Sequence, residues 1–510
     1  MVETNARFLP FDLFGNLRVK SVLDENGGSI SFIQEKSDKD SDFGIILPES
    51  KKPGESFKIT VEYEGTKALA QAGSGNYILI PRSTWYPNNP MTSFGDRATF
   101  DITFRYPKNY VMVGIGSRVG EETTENNQKV SKWTTGDTEM TVAGFNYGDF
   151  KMQEIKDAES GYNLEVFVNR DLPNEMKAIK RQIEDLERRG VKTDTTLGAL
   201  NTTGMAGTVL NEAQNSMRIY NTFFGKLPYE RIAMTQQPAG FFGQAWATLV
   251  FMPYIAFIDS TLRSQILQNG TDGFWREVAA HEVAHQWWGH VVGWTSYRDQ
   301  WMSEGFAQFS TSLYIQYVRG DLGKFIEFWE DLQQQIVKAT PATKDRKPFT
   351  IGPVTQGYRL NSGKTGRRAY SNLVYPKGAF ILHMLRLMMF DNTKGTGDAR
   401  FIEMMKDFTA SHYNKDVSTE DFKLIVEKHM LPSMNLTRNG KMDWFFDEWV
   451  YGTEMPSYDL EYKVNEKDGR SILWENYSIR RFGQIYYDSS NLCRFWKRMG
   501  IFRFGKNDWK

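Results

Sequence analysis

The spacing of apolar side chains changes once along this chain, and the change limits the architectures open to it. Up to about residue 155 the spacing is two. Ile59, Val61 and Tyr63 alternate with polar neighbours, as do Phe100, Ile102 and Phe104, then Val111, Val113 and Ile115. Successive side chains of a strand point to opposite faces, so this pattern predicts half-buried antiparallel strands, broken at turns such as Gly73-Ser74-Gly75. Past Pro173 the spacing becomes three and four, at Met176, Ile179, Ile183 and Leu186, with Lys and Arg on the other face and Gly190 closing the segment. That is the period of a helix with one apolar stripe. Further helices are expected from about Phe274 to Val291 with Thr271 or Asp272 as cap, from near Ser303 to about Tyr317, around Lys377 to Met389, and from a cap at Ser418 through Lys428. The fold class is α+β and multidomain: a β-rich domain over 1–155, a mainly helical domain over 156–456, and over 457–510 the start of a β-domain, where alternation returns in YDLEYKV.

Size and charge agree with that division. A chain of 510 residues is roughly three to four times the usual single domain. Lys+Arg and Asp+Glu are equal at 62 each, which removes the basic footprint expected of a nucleic-acid binder. The one cysteine, Cys493, excludes an intrachain disulfide and a thiolate zinc cage. The apolar run from Ala379 to Phe390 is interrupted by His383 and Arg386 and is too short to span a bilayer, so no membrane span is expected. MVETNARFLPFDLF lacks the basic, apolar and cleavable parts of a secretory signal. The expectation is a soluble chain, cytoplasmic or, if trimmed, periplasmic or secreted. The oligomeric state stays open. From Arg480 to Lys510 eight basic and two acidic side chains stand among aromatics without a period, and the reading is a solvated tail.

Three of the six histidines, His281, His285 and His290, fall within ten residues. His281, Glu282 and His285 form HEVAH on an expected helix, where i to i+4 spacing places both imidazoles on one face, one turn apart, within reach of one cation. Glu282 is turned by about 100 degrees from His281 and can border the ion without binding it. Catalytic zinc takes three protein ligands and keeps one position open. Glu304, in WMSEGFAQF nineteen positions after His285, can supply the third from the next helix. His290 competes for that role, although at i+5 it points away from the ligand face. Trp287 and Trp288 read equally as an aromatic wall beside the ion and as core.

HEVAH, eighteen intervening residues, then Glu304 with Gly305-Phe306-Ala307 resembles the gluzincin aminopeptidases, the group typified by aminopeptidase N. Asp299 and Trp301, YPKGA at Tyr375 to Ala379, FDEWVYGTEMPSYDL, WYPN at Trp85 and RATFDITFRYP at Arg97 to Pro107 extend the resemblance over some 450 residues. It implies a β-rich N-terminal domain and a thermolysin-like catalytic domain acting on a peptide substrate. It further implies one Zn2+ held by His281, His285 and Glu304, with Glu282 as general base and Tyr375 as oxyanion stabiliser; Tyr370 is a second tyrosine for the site.

The sequence departs from this family at one informative place. The family carries a GAMEN segment whose glutamate grips the free α-amino group of the substrate. Here the stretch reads AGFFGQAW, Ala239 to Trp246, with Gln244 in place of that glutamate and Gly240 in the same stretch. A neutral amide accepts a hydrogen bond from an ammonium but loses the charge contribution, about 1.5 to 3 kcal/mol. The family's large helical C-terminal domain is likewise not matched. Three readings follow: an aminopeptidase on short peptides with altered amine recognition, a zinc endopeptidase without N-terminal specificity, or a non-catalytic zinc-containing peptide-binding protein. Gly363-Lys364-Thr365 echoes a phosphate loop without its upstream glycine and reads as an ordinary loop.

Overall fold

A computed structural model describes residues 6–480 apart from 38–39, 72, 74, 80–83, 90–95, 125, 192–202, 239–242, 259–262, 264–276, 392, 394, 396, 456 and 468–469. The chain divides into two compact units, one of residues 1–217 and 227–286, the other of residues 218–226 and 287–510.

Strands dominate the first unit, as the period of two requires. Val19, Val22, Ile45 and Leu47 line one of its cores, and Ile59, Val61 and Tyr63 pack against it from the strand Ile59–Gly65, which pairs antiparallel with Leu17–Asp24. Phe104 and Trp133 build another core between the strands Asp101–Pro107 and Gln128–Thr134. A five-stranded sheet then runs in the order Phe150–Asp157, Tyr162–Asn169, Arg231–Gln237, Leu249–Pro253, Gln244–Trp246. Its middle pairings are parallel, and its last strand is antiparallel, with Gln244 opposite Phe251. Arg231 is buried in this sheet. Its Nε donates to Glu165 at 2.9 Å, its Nη1 to the carbonyls of Gly114 and Gly116 at 3.2 and 2.8 Å, and its guanidinium lies 4.8 Å from the Trp133 ring.

The amphipathic segment after Pro173 forms the helix Asn174–Arg188, and Gly190 turns the chain beyond it at φ +80°. The helix bearing HEVAH covers Val278–Ala284 rather than 274–291. Residues 271–276, with the expected cap, lie outside the described residues. The early stop has a local cause. Gly289 adopts φ +110°, and the Trp287 carbonyl and the Gly289 N–H bond Val292 at 2.9 and 2.8 Å, which turns the chain into the strand Val292–Trp294.

In the second unit the expected helices are present with shifted ends. They cover Trp301–Tyr314, Ser371–Met388 and Thr419–His429. The second begins six residues earlier than expected because the helix carries Pro376 in its second turn, at the loss of one backbone bond. Ser418 caps the third: its hydroxyl accepts from the Asp421 N–H at 3.2 Å, and Asp421 accepts from the Ser418 N–H at 2.8 Å. Ser457–Lys467 and Arg470–Arg480 pair antiparallel, the β segment expected after Pro456. Among the described residues no helix is long and apolar enough to cross a membrane.

Candidate active site

All seven residues of the HEVAH helix are buried; His281 is 2% exposed and Glu282 5%. One helical turn separates the imidazoles, whose ring centroids are 4.9 Å apart and nearly perpendicular at 83°. His281, His285 and Glu304 each offer one ligand atom, and the three atoms lie within 4.8 Å of one another. Two imidazole nitrogens and a carboxylate oxygen at that separation are the donor set and number that catalytic zinc takes, so these residues fit the ion. His290 is not part of the group.

The HEVAH helix is anchored by a residue that the motif reading passed over. Gln286 is completely buried. Its amide oxygen accepts from the Thr248 N–H at 2.9 Å and the Tyr229 hydroxyl at 3.0 Å, and its amide nitrogen donates to the Trp246 carbonyl at 3.0 Å. The bonds to Trp246 and Thr248 fasten the end of the helix to the hairpin that begins at Gln244, whose turn holds Thr248 at φ +66°. Gln244 itself is half-buried. One residue before it, Gly243 lies so close that a Cβ there would stand 2.3 Å from Glu282 Oε1. The stretch with the altered amine-binding motif therefore runs beside the carboxylate expected to act as base. Gly240 lies outside the described residues.

The second unit positions Glu304 in the first turn of its helix. Ser303 donates to the Trp288 carbonyl at 3.0 Å, and the Trp288 indole donates to Ser310 at 3.1 Å. Trp287 donates to the Gly225 carbonyl at 2.8 Å and packs edge-on against Tyr220 and Phe224. Both tryptophans are thus core side chains with their N–H groups used. Asp299 accepts from the N–H and the hydroxyl of Thr419 at 2.8 and 2.9 Å, which joins the loop before the Glu304 helix to the start of Thr419–His429.

Tyr375 lies on the helix Ser371–Met388, with Tyr370 as the residue before its first turn, and this helix crosses the Glu304 helix at two glycines. A Cβ on Gly305 would stand 2.6 Å from the Gly378 Cα, so the backbones approach as closely there as glycines permit. Tyr375 is half-buried one turn before Gly378, and its ring meets Tyr370 edge-on at 5.8 Å. The Tyr370 hydroxyl is buried without a hydrogen-bond partner among the described residues; burial first, then the Glu304 carboxylate, holds it well above the usual phenol range. Next to Tyr375, Lys377 is buried with its Nζ on the Gly452 carbonyl at 2.7 Å, and burial lowers its pKa to about 8.

A short buried helix with paired imidazoles and a carboxylate from a second helix thus make the donor set of a zinc site, with Tyr370 beside that carboxylate. Residues 210–449 match the model of the Peptidase family M1 domain. Aminopeptidase N of Bos taurus is 25% identical over 296 residues, 57% of this chain and 28% of that protein. Aminopeptidase A of Gloydius brevicauda is 28% identical over 152 residues, 30% of this chain and 14% of that protein. The matched stretches thus span less than a third of these relatives' own length. Among solved structures, the M1 zinc metallopeptidase from Deinococcus radiodurans has the same fold, with a TM-score of 0.62 at 20% identity over 89% of each chain.

Proposed function

We propose that this chain is a zinc aminopeptidase acting on short peptides, with weakened recognition of the free α-amino group. The observation that carries the reading is the convergence of His281, His285 and Glu304 donor atoms within 4.8 Å, with Glu282 on the same buried helix. A zinc ion bound by these three residues would polarise the scissile carbonyl and lower the pKa of a water toward about 7. Glu282 takes a proton from the attacking water as its oxygen adds to the carbonyl carbon, and passes it to the amide nitrogen as the C–N bond breaks. The Tyr375 hydroxyl donates to the carbonyl oxygen as negative charge grows there, a contact typically worth about 3 kcal/mol in the transition state. Tyr370 lines the same place. Gln244, and Gly240 in the same stretch, take the substrate's amino end. The domain limits proposed with this reading are 1–155, 156–456 and 457–510.

Gln244 favours a second reading, a zinc endopeptidase with the same reacting groups. An uncharged amide holds an ammonium without the charge contribution and rejects a blocked amino end less strongly. Cut sites mapped by mass spectrometry on a pool of free and N-acetylated peptides, with and without a chelator, separate the two. The aminopeptidase trims one residue from free peptides only and stops with chelator. Internal cuts in acetylated peptides establish the endopeptidase, and cleavage that persists after the metal is stripped overturns both.

A further inference from the structure

The segment leading into the tyrosine helix concentrates positive charge. Between residues 338 and 368 the chain has eight Lys and Arg side chains and one acid, Asp345, in a protein whose total charge balances at zero. All eight cations are exposed, and none forms an ion pair with a carboxylate among the described residues. Elsewhere in the same unit several cations are matched: Arg386 with Asp398 at 2.6 Å and Lys428 with Asp407 at 2.7 Å. Fold stability gives no reason to collect unmatched cations on one stretch, since like charges repel.

Two attachments hold this segment to the site. Near its middle, the Arg359 guanidinium lies 4.1 Å from the Tyr297 ring and donates to its hydroxyl at 2.9 Å, while Gly357 packs on the Tyr297 carbonyl seven residues before Glu304. At its end, Ser362 caps the turn that contains Lys364, and Asn361 accepts from the Tyr370 N–H at 2.9 Å. The Arg368 carbonyl accepts the Asn372 N–H at 2.9 Å in the first turn of the tyrosine helix. Arg367 and Arg368 therefore stand three and two residues from Tyr370, whose buried hydroxyl feels the Glu304 carboxylate. A residue advances the chain by at most about 3.6 Å, so the Cα atoms of Arg367 and Arg368 lie within about 11 and 7 Å of that of Tyr370, the span of two or three substrate residues.

We propose that this cationic segment selects peptides with acidic side chains, or a nearby C-terminal carboxylate, on the leaving side of the scissile bond. The inference rests on the aminopeptidase reading: when the substrate's amino end stops at the metal, only the leaving peptide is long enough to reach Arg367, Arg368 and Lys364. Guanidinium groups bind carboxylates through paired N–H donors, and exposed cations also raise the rate of encounter with an anionic substrate.

The test compares Ala-Ala-Glu-Glu with its Gln-Gln counterpart, C-terminally amidated in both, on the zinc-loaded full chain. The acidic peptide is expected to have a kcat/KM about tenfold higher in 20 mM salt, and the advantage to shrink below about threefold in 300 mM salt as charges are screened. Arg367→Glu with Arg368→Glu should bring the acidic-to-neutral ratio to or below one. Equal wild-type rates, or a ratio unmoved by both salt and the double substitution, overturn the proposal. Wild-type cleavage of neither peptide refutes the peptidase reading instead. Anisotropy of the same two peptides, fluorescein-labelled, then decides the inference alone: tighter binding of the acidic one that fades with salt sustains it, and equal binding ends it.

Discussion

Ser303 donates to the carbonyl of Trp288 across 3.0 Å of buried interior. Ser303 adjoins Glu304, and Trp288 lies three residues past His285, so this bond sets the register of the carboxylate donor against the chain that follows the second imidazole. Replacing Ser303 by Ala removes this bond, a loss of about 1 to 3 kcal/mol. Groups that orient metal ligands without touching the ion typically contribute about 10- to 100-fold in affinity. The expected result for Ser303→Ala is a zinc affinity at least about tenfold weaker by titration against a competing chelator. Unchanged affinity would show that the register is set elsewhere.

The cluster of His281, His285 and Glu304 is legible because its information is periodic or local. The i to i+4 spacing of His281 and His285 survives any tertiary arrangement of a helix, and Glu304 stands close in sequence with a helix pattern after it. Gln286, Ser303 and Thr248 were not legible. Gln286 and Ser303 reach backbone groups 15 to 40 residues away, Thr248 meets Gln286 through its own N–H, and a backbone group has no signature in the sequence. The end of the HEVAH helix was misjudged for a related reason. Apolar residues continue through Val291 as a helix would have them, whereas the observed turn depends on Gly289 and on pairing with Val292. Burial likewise decided Trp287 and Trp288, which the pattern left open between wall and core.

Glu282 and Gly243 give a linked expectation. Glu282→Gln keeps the shape of the side chain and removes its basicity, so zinc content should hold while kcat falls about 10²- to 10⁴-fold. Gly243→Ala places a methyl group where Glu282 Oε1 now lies, 2.3 Å from the new Cβ. The end of a flexible side chain moves away at little cost in stability but leaves its proton-transfer position. The expected outcome is an unchanged thermal midpoint with kcat down at least about tenfold. A wild-type kcat in Gly243→Ala would mean that the carboxylate does not work from this position.

Lys377 predicts a specific pH dependence. Its folded pKa is lowered from 10.5 to about 8 by burial, so between those values the unfolded chain holds the proton more firmly than the folded one. Stability therefore rises with pH across that window, and the cost of burying the charge is fully present below about pH 8. Lys377→Met lacks the group. The stability of wild type relative to Lys377→Met should increase by about 3 kcal/mol from neutral pH to the top of the window, read from urea unfolding at each pH. Parallel curves for the two proteins would place the ammonium in water.

Gln244 supplies the prediction that separates amine recognition from hydrolysis. It begins the edge strand of the five-stranded sheet, one residue from the glycine that touches Glu282, and the hairpin it starts is held by Gln286. Gln244→Glu is nearly isosteric and adds one negative charge at that place. A carboxylate gains the charged hydrogen bond to an α-ammonium that the amide lacks, about 1.5 kcal/mol or more. For peptides with a free amino end the expected KM falls about tenfold, because that bond forms with bound substrate as well as in the transition state. N-acetylated peptides carry no ammonium and should gain nothing, so the free-to-acetylated ratio of kcat/KM is the quantity to read. A ratio that stays constant while both rates change would mean that residue 244 does not face the substrate's amino end.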